Sequence, residues 1–252
     1  MFLREWVCIW RWLWLLEVWG LKYSYPDGHE ALRGVTFTVG EGEKVALVGA
    51  NGSGKSTLLL HLAGAVAVQE GRITFRGDAS QEALRKNIGL TFQDPDDELL
   101  MPTVLEDVAF SLVAGGMSVS EARERARKIL ASLGIIHLAE RPPHKLSGGE
   151  KRMVSFAGVL AGEPEVLALD EPSAGLDPRA RRRVIDFLCE TSKTIILATH
   201  DLDMALDVCT RAIILSDGAV SCEGELPDLF MNREVLEANG LELPLRYSHN
   251  IS

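Results

Sequence analysis

After residue 19 the sequence holds no tryptophan, and nowhere does it hold two cysteines at CxxC spacing. Its four cysteines stand at 8, 189, 209 and 222, which supports neither a zinc site of paired thiolates nor a disulfide framework. They read as idle thiols of a reducing compartment. Positive charge is short as well: 26 Lys and Arg against 36 Asp and Glu leave a formal net charge of −10. That deficit speaks against a nucleic-acid-binding surface, because a phosphate backbone demands a basic face. There is no internal repeat and no low-complexity linker. What remains, 46% hydrophobic and 25% charged residues over 252 positions, suits one large α/β domain or a core domain with a modest insertion.

The first nineteen residues carry all five tryptophans, at 6, 10, 12, 14 and 19. Arg11 and Glu17 interrupt the apolar residues there, so the run falls short of the roughly 20 residues that span a bilayer. No small-residue cleavage site follows, as a secretory signal requires. Trp6, Trp10 and Trp14 recur at helical spacing, which suits a membrane surface or a partner helix. The alternative, taken as the expectation, is that the true start lies near Leu15 or Leu16 and that residues 1–15 are an extension arising as a start-site artefact or a disordered tag.

From there the texture alternates. Leu16–Tyr25 reads as a strand closed by the turn at Pro26, Asp27 and Gly28, with further short strands at Val35–Val39 and Lys44–Val48. Ser56–Ala63 has the composition of a helix. Gly71–Phe75 and Ile88–Phe92 are β-like. Between Asp94 and about Gly158 the pattern turns helical. Ser118 and Glu121 resemble a capping box, and Ala122, Ala126, Ile129, Leu130 and Leu133 mark one apolar face that stops at Gly134. Strand signals return at Val166–Leu169, Thr194–Ala198 and Ala212–Leu215, and Asp217-Gly218 turns the chain into Ala219–Cys222. Strands alternating with helices predict a mainly parallel α/β core with its ligand site at the carboxyl ends of the strands. The domain is expected over 16–222, with the helical stretch of about 94–158 inserted in it and 223–252 as a tail.

Two elements carry chemistry. The first is Gly49-Ala-Asn51-Gly52-Ser53-Gly54-Lys55-Ser56-Thr57. It fits the phosphate-loop spacing and follows a strand, the context this motif requires. Its glycines let successive N–H groups turn inward around phosphates, and the following helix adds its positive end. Lys55 is expected at the β- and γ-phosphates of ATP, and the Ser56 hydroxyl on Mg²⁺. The second is Glu165-Val-Leu-Ala-Leu-Asp170-Glu171, an apolar run ending in two carboxylates. A buried strand there delivers Asp170 toward the metal and leaves Glu171 where an attacking water is polarised.

With Leu146-Ser147-Gly148-Gly149-Glu150-Lys151 and His200 added, the chain resembles the ATP-binding subunits of ABC transporters over roughly residues 16 to 240. The resemblance implies a P-loop NTPase core, an antiparallel β subdomain and an inserted helical subdomain that carries the signature. It implies a dimer, homo- or heteromeric, in which Ser147, Gly148 and Gly149 of one subunit close over the ATP held by the other. Glu150 stands where many members have glutamine. The resemblance also implies that Gln93 meets Mg²⁺ and the water, that His200 contacts the γ-phosphate, and that Asp177 lies near the dimer seam. An aromatic stacks on adenine, Tyr25 first and Tyr23 in reserve. All catalytic positions are filled, which implies an active ATPase.

Gln93-Asp-Pro-Asp-Asp-Glu-Leu99, Pro102-Thr-Val and Glu106-Asp-Val-Ala-Phe110 are similar to the energy-coupling-factor branch of importers, most of all to those for cobalt or nickel; vitamin importers share these motifs. The branch implies a transmembrane coupling protein and a membrane substrate-binding component, and a place at the cytoplasmic face of the membrane. Asp94, Asp96, Asp97 and Glu98 are expected to receive arginines of the coupling protein. Arg179, Arg181, Arg182 and Arg183, the one basic cluster, read as a solvated helix face or as partners in salt bridges to the acidic surface. The stretch between Lys55 and Ser147 is too short for the long coiled coil of chromosome-maintenance members. A soluble assembly ATPase of the iron–sulfur type stays open as an alternative.

Overall fold

The structure is a computed structural model that describes residues 14–248. The tryptophans at 6, 10 and 12 therefore lie outside the described residues. Nine strands and ten helices follow one another among the described residues, with short 3₁₀ turns between them.

The core sheet is built from β3 (Lys44–Val48), β5 (Ile88–Thr91), β6 (Val166–Asp170), β7 (Thr194–Ala198), β8 (Arg211–Ser216) and β9 (Ala219–Glu225). Its order is β5-β6-β7-β3-β8-β9, parallel except for the last pair. Apart from Lys44, Asp170 and Thr194 at their ends, the central strands β3, β6 and β7 are apolar, because both faces of the sheet are covered. Alternation shows in where each side chain goes. Ala46 and Val48, Leu167 and Leu169, Ile195 and Leu197 join one core cluster with the helical stretch. Val45 and Leu47, Val166 and Ala168, Ile196 and Ala198 join the other.

That second cluster is closed by a three-stranded antiparallel sheet, β2-β1-β4, made of β1 (Leu16–Ser24), β2 (Glu30–Val39) and β4 (Glu70–Phe75). The helix α1 (Lys55–Leu62) lies between the two sheets, with Leu58, Leu59 and Leu62 fully buried. β2 is longer than the expected Val35–Val39. Its amino-terminal half is fixed by pairing with β1 down to Ser24↔Glu30, a contact that local pattern does not reveal.

The expected helical stretch comprises α3 (Val104–Ala114), α4 (Val119–Ser132) and α5 (Gly148–Ala161), preceded by α2 (Gln81–Asn87) in the core. Ser118 caps α4 by accepting the Glu121 N–H, and Ala122, Ala126 and Leu130 are its buried face. α6 (Pro178–Glu190) and α7 (Leu202–Val208) cover the core sheet.

The expected tail is no tail. β9 runs past residue 222 to Glu225, and α8 (Asp228–Met231), α9 (Arg233–Ala238) and α10 (Leu245–Ser248) follow. Phe230 and Leu236 are fully buried in the main core, so burial of apolar surface holds this segment down. Arg246 on α10 bonds to Asp203 and Asp207 of α7. No helix among the described residues is long and apolar enough to cross a membrane.

Candidate functional site

Four neighbouring parallel strands, β5, β6, β7 and β3, end on the same edge of the core sheet, and every catalytic candidate follows one of those ends. A cavity of about 510 Å³ opens there. Among its lining residues are Tyr25, Asn51, Gly52, Gly54, Lys55, Ser56, Thr57, Gln93, Asp170, Glu171 and His200. Residues more than 140 positions apart in the chain thus meet at one opening.

The loop between β3 and α1 holds its shape by close backbone approach. A Cβ on Gly49 would come within 2.2 Å of the Leu215 carbonyl oxygen, and one on Gly54 within 2.6 Å of that of Ala31. Gly54 caps α1 in the left-handed region, with no side chain satisfying the helix donors. Free N–H groups at a helix start form an anion site. Lys55 Nζ donates to the carbonyls of Gly49 at 2.8 Å and Ala50 at 3.0 Å. Burial pushes the Lys55 ammonium below its ordinary value, and Glu171 and Asp170 oppose that. Gly49 and Ser53 do not line the cavity; the Ser53 hydroxyl is buried inside the loop.

Asp170 ends β6 and is itself buried, and burial raises its carboxyl above the usual range. A hydrogen bond from Ser56 counteracts this, as does the charge of Lys55. Ser56, Asp170 and the Gln93 amide offer only oxygen donors of the hard kind that Mg²⁺ takes. This donor set fits the ion. Its small number of carboxylates leaves further positions to phosphate and water.

Glu171 is the strained residue of the site. Its φ of 44° is in the left-handed region, which side chains other than glycine rarely adopt. Three contacts hold it. Thr199 Oγ1 donates to Oε2 at 3.0 Å, the His200 N–H donates to Oε1 at 2.9 Å, and His200 Nδ1 lies 2.7 Å from Oε1. The carboxylate and the imidazole are therefore aimed by one loop. Thr199, fully buried, was not singled out from sequence, although it stands beside His200 at the end of an apolar strand.

Tyr25 and Tyr23 differ in surroundings. Tyr23 packs edge-on against the buried His61 of α1, with ring centroids 4.6 Å apart. Tyr25 faces the cavity, and its hydroxyl is 2.9 Å from Thr57 Oγ1.

The signature residues sit elsewhere. Ser147 caps α5 in a full capping box: the Ser147 N–H donates to Glu150 Oε2 at 2.8 Å, and the Glu150 N–H donates to Ser147 Oγ at 3.4 Å. Glu150 is thereby held below the usual carboxyl range, chiefly by the Ser147 N–H, and Arg141 stands 3.2 Å from it. Ser147, Gly148, Gly149 and Asp177 do not line the nucleotide cavity of their own chain. Gly148 lines a neighbouring groove of about 660 Å³ with Gln93, Lys151 and Gly175. Asp177 caps α6 by accepting the N–H groups of Arg179 and Ala180.

Two arginines tie these outer elements to the cavity, and sequence gave neither that role. Arg152 on α5, fully buried, donates to the carbonyls of Phe92 and Gln93, each at 2.6 Å. Arg181 on α6 donates to Asp201, the neighbour of His200, at 2.7 Å. Arg181 thus makes a salt bridge, one of the two expectations for the basic cluster.

The acidic run behaves unevenly. Asp94 caps the 3₁₀ turn Pro95–Asp97, and Asp96 pairs with Lys151. Glu98 turns inward, where its carboxylate accepts from the Phe92 N–H and from Ser155 Oγ. Burial raises its carboxyl above the usual range. Glu98 therefore leaves the exposed acidic surface.

Comparison with known proteins agrees with this geometry. The family model described as ABC transporter matches residues 32–174. A Gloeobacter violaceus chain described as an ABC transporter ATP-binding protein is 53% identical over 231 residues, 89% of this chain and 95% of its own length. An energy-coupling factor transporter ATP-binding protein of Methanosphaera stadtmanae is 41% identical over 91% of this chain and 86% of its own. Among solved structures, cbiO1 of Clostridium perfringens, part of the ABC transporter complex cbiONQ, superposes with a TM-score of 0.78 at 38% identity, covering 95% of this chain and 99% of that one. A dimeric ATP-binding cassette with ADP and Pi bound superposes with a TM-score of 0.73 at 31% identity, covering 84% of this chain and 98% of that one.

Proposed function

We propose a function from a plain premise: the chain belongs to the ABC transporter family as an ATP-binding subunit, and it is an ATPase. Our reading is that it energises an importer of the energy-coupling-factor type, with cobalt or nickel ions as the first candidates for cargo. The observation that carries the ATPase chemistry is the meeting of Lys55, Ser56, Gln93, Asp170, Glu171 and His200 at one cavity. The branch assignment is supported by the acidic run after Gln93 and by the likeness to the Methanosphaera and Clostridium chains.

In this reading the N–H groups of the phosphate loop and Lys55 bind the β- and γ-phosphates of ATP. Ser56, Asp170 and Gln93 would hold Mg²⁺, which supplies charge neutralisation at the phosphates when bound. Glu171 accepts a proton from the attacking water, and His200, oriented by its bond to Glu171, faces the γ-phosphate. Tyr25 stacks on the adenine. Two subunits, identical or related, close on two nucleotides. Ser147, Gly148 and Gly149 of each then complete the site of the other, with Asp177 at the seam. For the coupling protein the receiving acidic surface is Asp94, Asp96 and Asp97. Glu98 drops out because its carboxylate is spent inside.

The deciding experiment is a pull-down of the tagged full chain from gently solubilised native membranes, with mass spectrometry of its partners. A multi-spanning protein with a small membrane binding component is expected, and the cargo then follows from metal analysis of that component. Recovery of soluble partners alone would overturn the transport reading.

A further inference from the structure

His29 was not marked by any sequence motif, yet it lines the nucleotide cavity beside Tyr25. The two rings face each other across the turn between β1 and β2. They are nearly parallel, 16° apart, with centroids separated by 6.3 Å. That arrangement is built by the backbone. The Tyr25 N–H donates to the His29 carbonyl and the Gly28 N–H to the Tyr25 carbonyl, each at 2.9 Å. The His29 N–H donates to Asp27 Oδ1 at 3.0 Å, which closes the turn a third time. On the far side, the bond between the Tyr25 hydroxyl and Thr57 pins the Tyr25 ring to the first turn of α1.

The separation matters. Two aromatic rings in direct stacking contact leave no room between them, whereas a planar group inserted between two walls needs about 3.5 Å on each side, or about 7 Å in all. The 6.3 Å between centroids includes any sideways offset, so it is an upper limit on the gap between the ring planes. Admitting a base therefore requires the exposed imidazole to move outward. Histidine and tyrosine rings are both used to stack nucleobases. Ala31, two positions beyond His29 at the start of β2, also lines the cavity and adds no bulk there.

We propose that His29 is the second wall of the base site, so that the purine ring of the nucleotide enters between Tyr25 and His29. This rests on the reading of Tyr25 as the base-stacking residue and deepens it. His29 touches the base only, so it governs nucleotide affinity and base selectivity, while the chemistry at Glu171 is unaffected.

The test measures binding of two ligands to the full chain by titration calorimetry: ADP, which has a base, and inorganic tripolyphosphate, which has none. His29→Ala is expected to weaken ADP roughly tenfold, the size of one lost base–ring stack, and to leave tripolyphosphate within about twofold. His29→Phe is expected to restore ADP binding. In hydrolysis, His29→Ala raises KM for ATP with kcat unchanged. If His29→Ala leaves ADP affinity intact while Tyr25→Ala lowers it, the second wall is refuted and the Tyr25 reading stands. If neither variant moves ADP, the base lies elsewhere and both fall. An equal loss of ADP and tripolyphosphate would show a collapsed loop and overturn the proposal as well.

Discussion

In the proposed reading two helix starts of this molecule meet phosphate, and they are built in opposite ways. α1 begins at Gly54 with no side chain satisfying its donors. α5 begins at Ser147 with a capping box that satisfies the N–H groups of Ser147 and Glu150 from within the chain. A glycine at the helix start costs roughly a few tenths of a kcal/mol against a good side-chain cap, and it leaves N–H groups free for an anion. The phosphate loop is therefore a ready site in a single chain. The signature helix is capped within its own chain, and in the proposed reading its hydroxyl turns from Glu150 to take a phosphate oxygen of another subunit. On that reading the difference separates a binding element complete in one chain from one that waits for closure.

The sharpest way to break this comparison is at the loop that serves the first site. Glu171→Gln removes the proton acceptor, while its amide oxygen can still accept from His200 and its amide NH2 can donate to the Thr199 hydroxyl. We expect hydrolysis to fall by about 10²–10⁴-fold with ADP affinity kept, measured by phosphate release and calorimetry. An unchanged rate would remove Glu171 from the reaction. Next comes the link between the two starts. Arg152→Gln strips the guanidinium that grips the carbonyls of Phe92 and Gln93. Breaking a buried charge-assisted set of this kind costs on the order of 3 kcal/mol, read as a lower thermal midpoint. The kcat for ATP should fall more than KM rises, since Gln93 loses its hold; an equal change in both would limit Arg152 to stability.

At the second site the expected effects are smaller. Ser147→Ala removes the cap of α5 and should cost about 1 kcal/mol in denaturant unfolding. ADP affinity of the separate chain should not move, because Ser147 does not line its own cavity. A loss of ADP binding would contradict the division between the two starts. The smallest effect concerns Glu98. Burial raises its carboxyl, so the folded state holds that proton more tightly than the unfolded chain. Its contribution is favourable below the ordinary glutamate pKa and is lost as pH rises through the raised value. Glu98→Gln should flatten that part of the stability curve, and a curve identical to the parent would refute the assignment.

Much of the site was legible in sequence. The phosphate loop spans nine consecutive residues after a strand, and Asp170-Glu171 ends an apolar run, so chain-local spacing sufficed. α6 was also legible in principle, since Ala180, Val184, Ile185 and Leu188 keep a helical period beneath the arginines. Other features had no local signal. Thr199, Arg152 and His29 earn their place from partners at Glu171, Gln93 and Tyr25. The packing of 223–248 depends on Phe230 and Leu236 finding the helical core, which no nearby residue announces.

By itself, then, the sequence determined the turn of the phosphate loop, the strand ends that present the carboxylates and the start of the signature helix, because these follow from hydrogen bonds and backbone angles within a few residues. The tertiary structure decided that Tyr25 and not Tyr23 meets the cavity, that Glu98 turns inward, and that two arginines tie the outer helices to the catalytic loops. Those choices depend on which groups the parallel sheet and the helical insertion bring within about 3 Å of one another, a distance that only the closed chain sets.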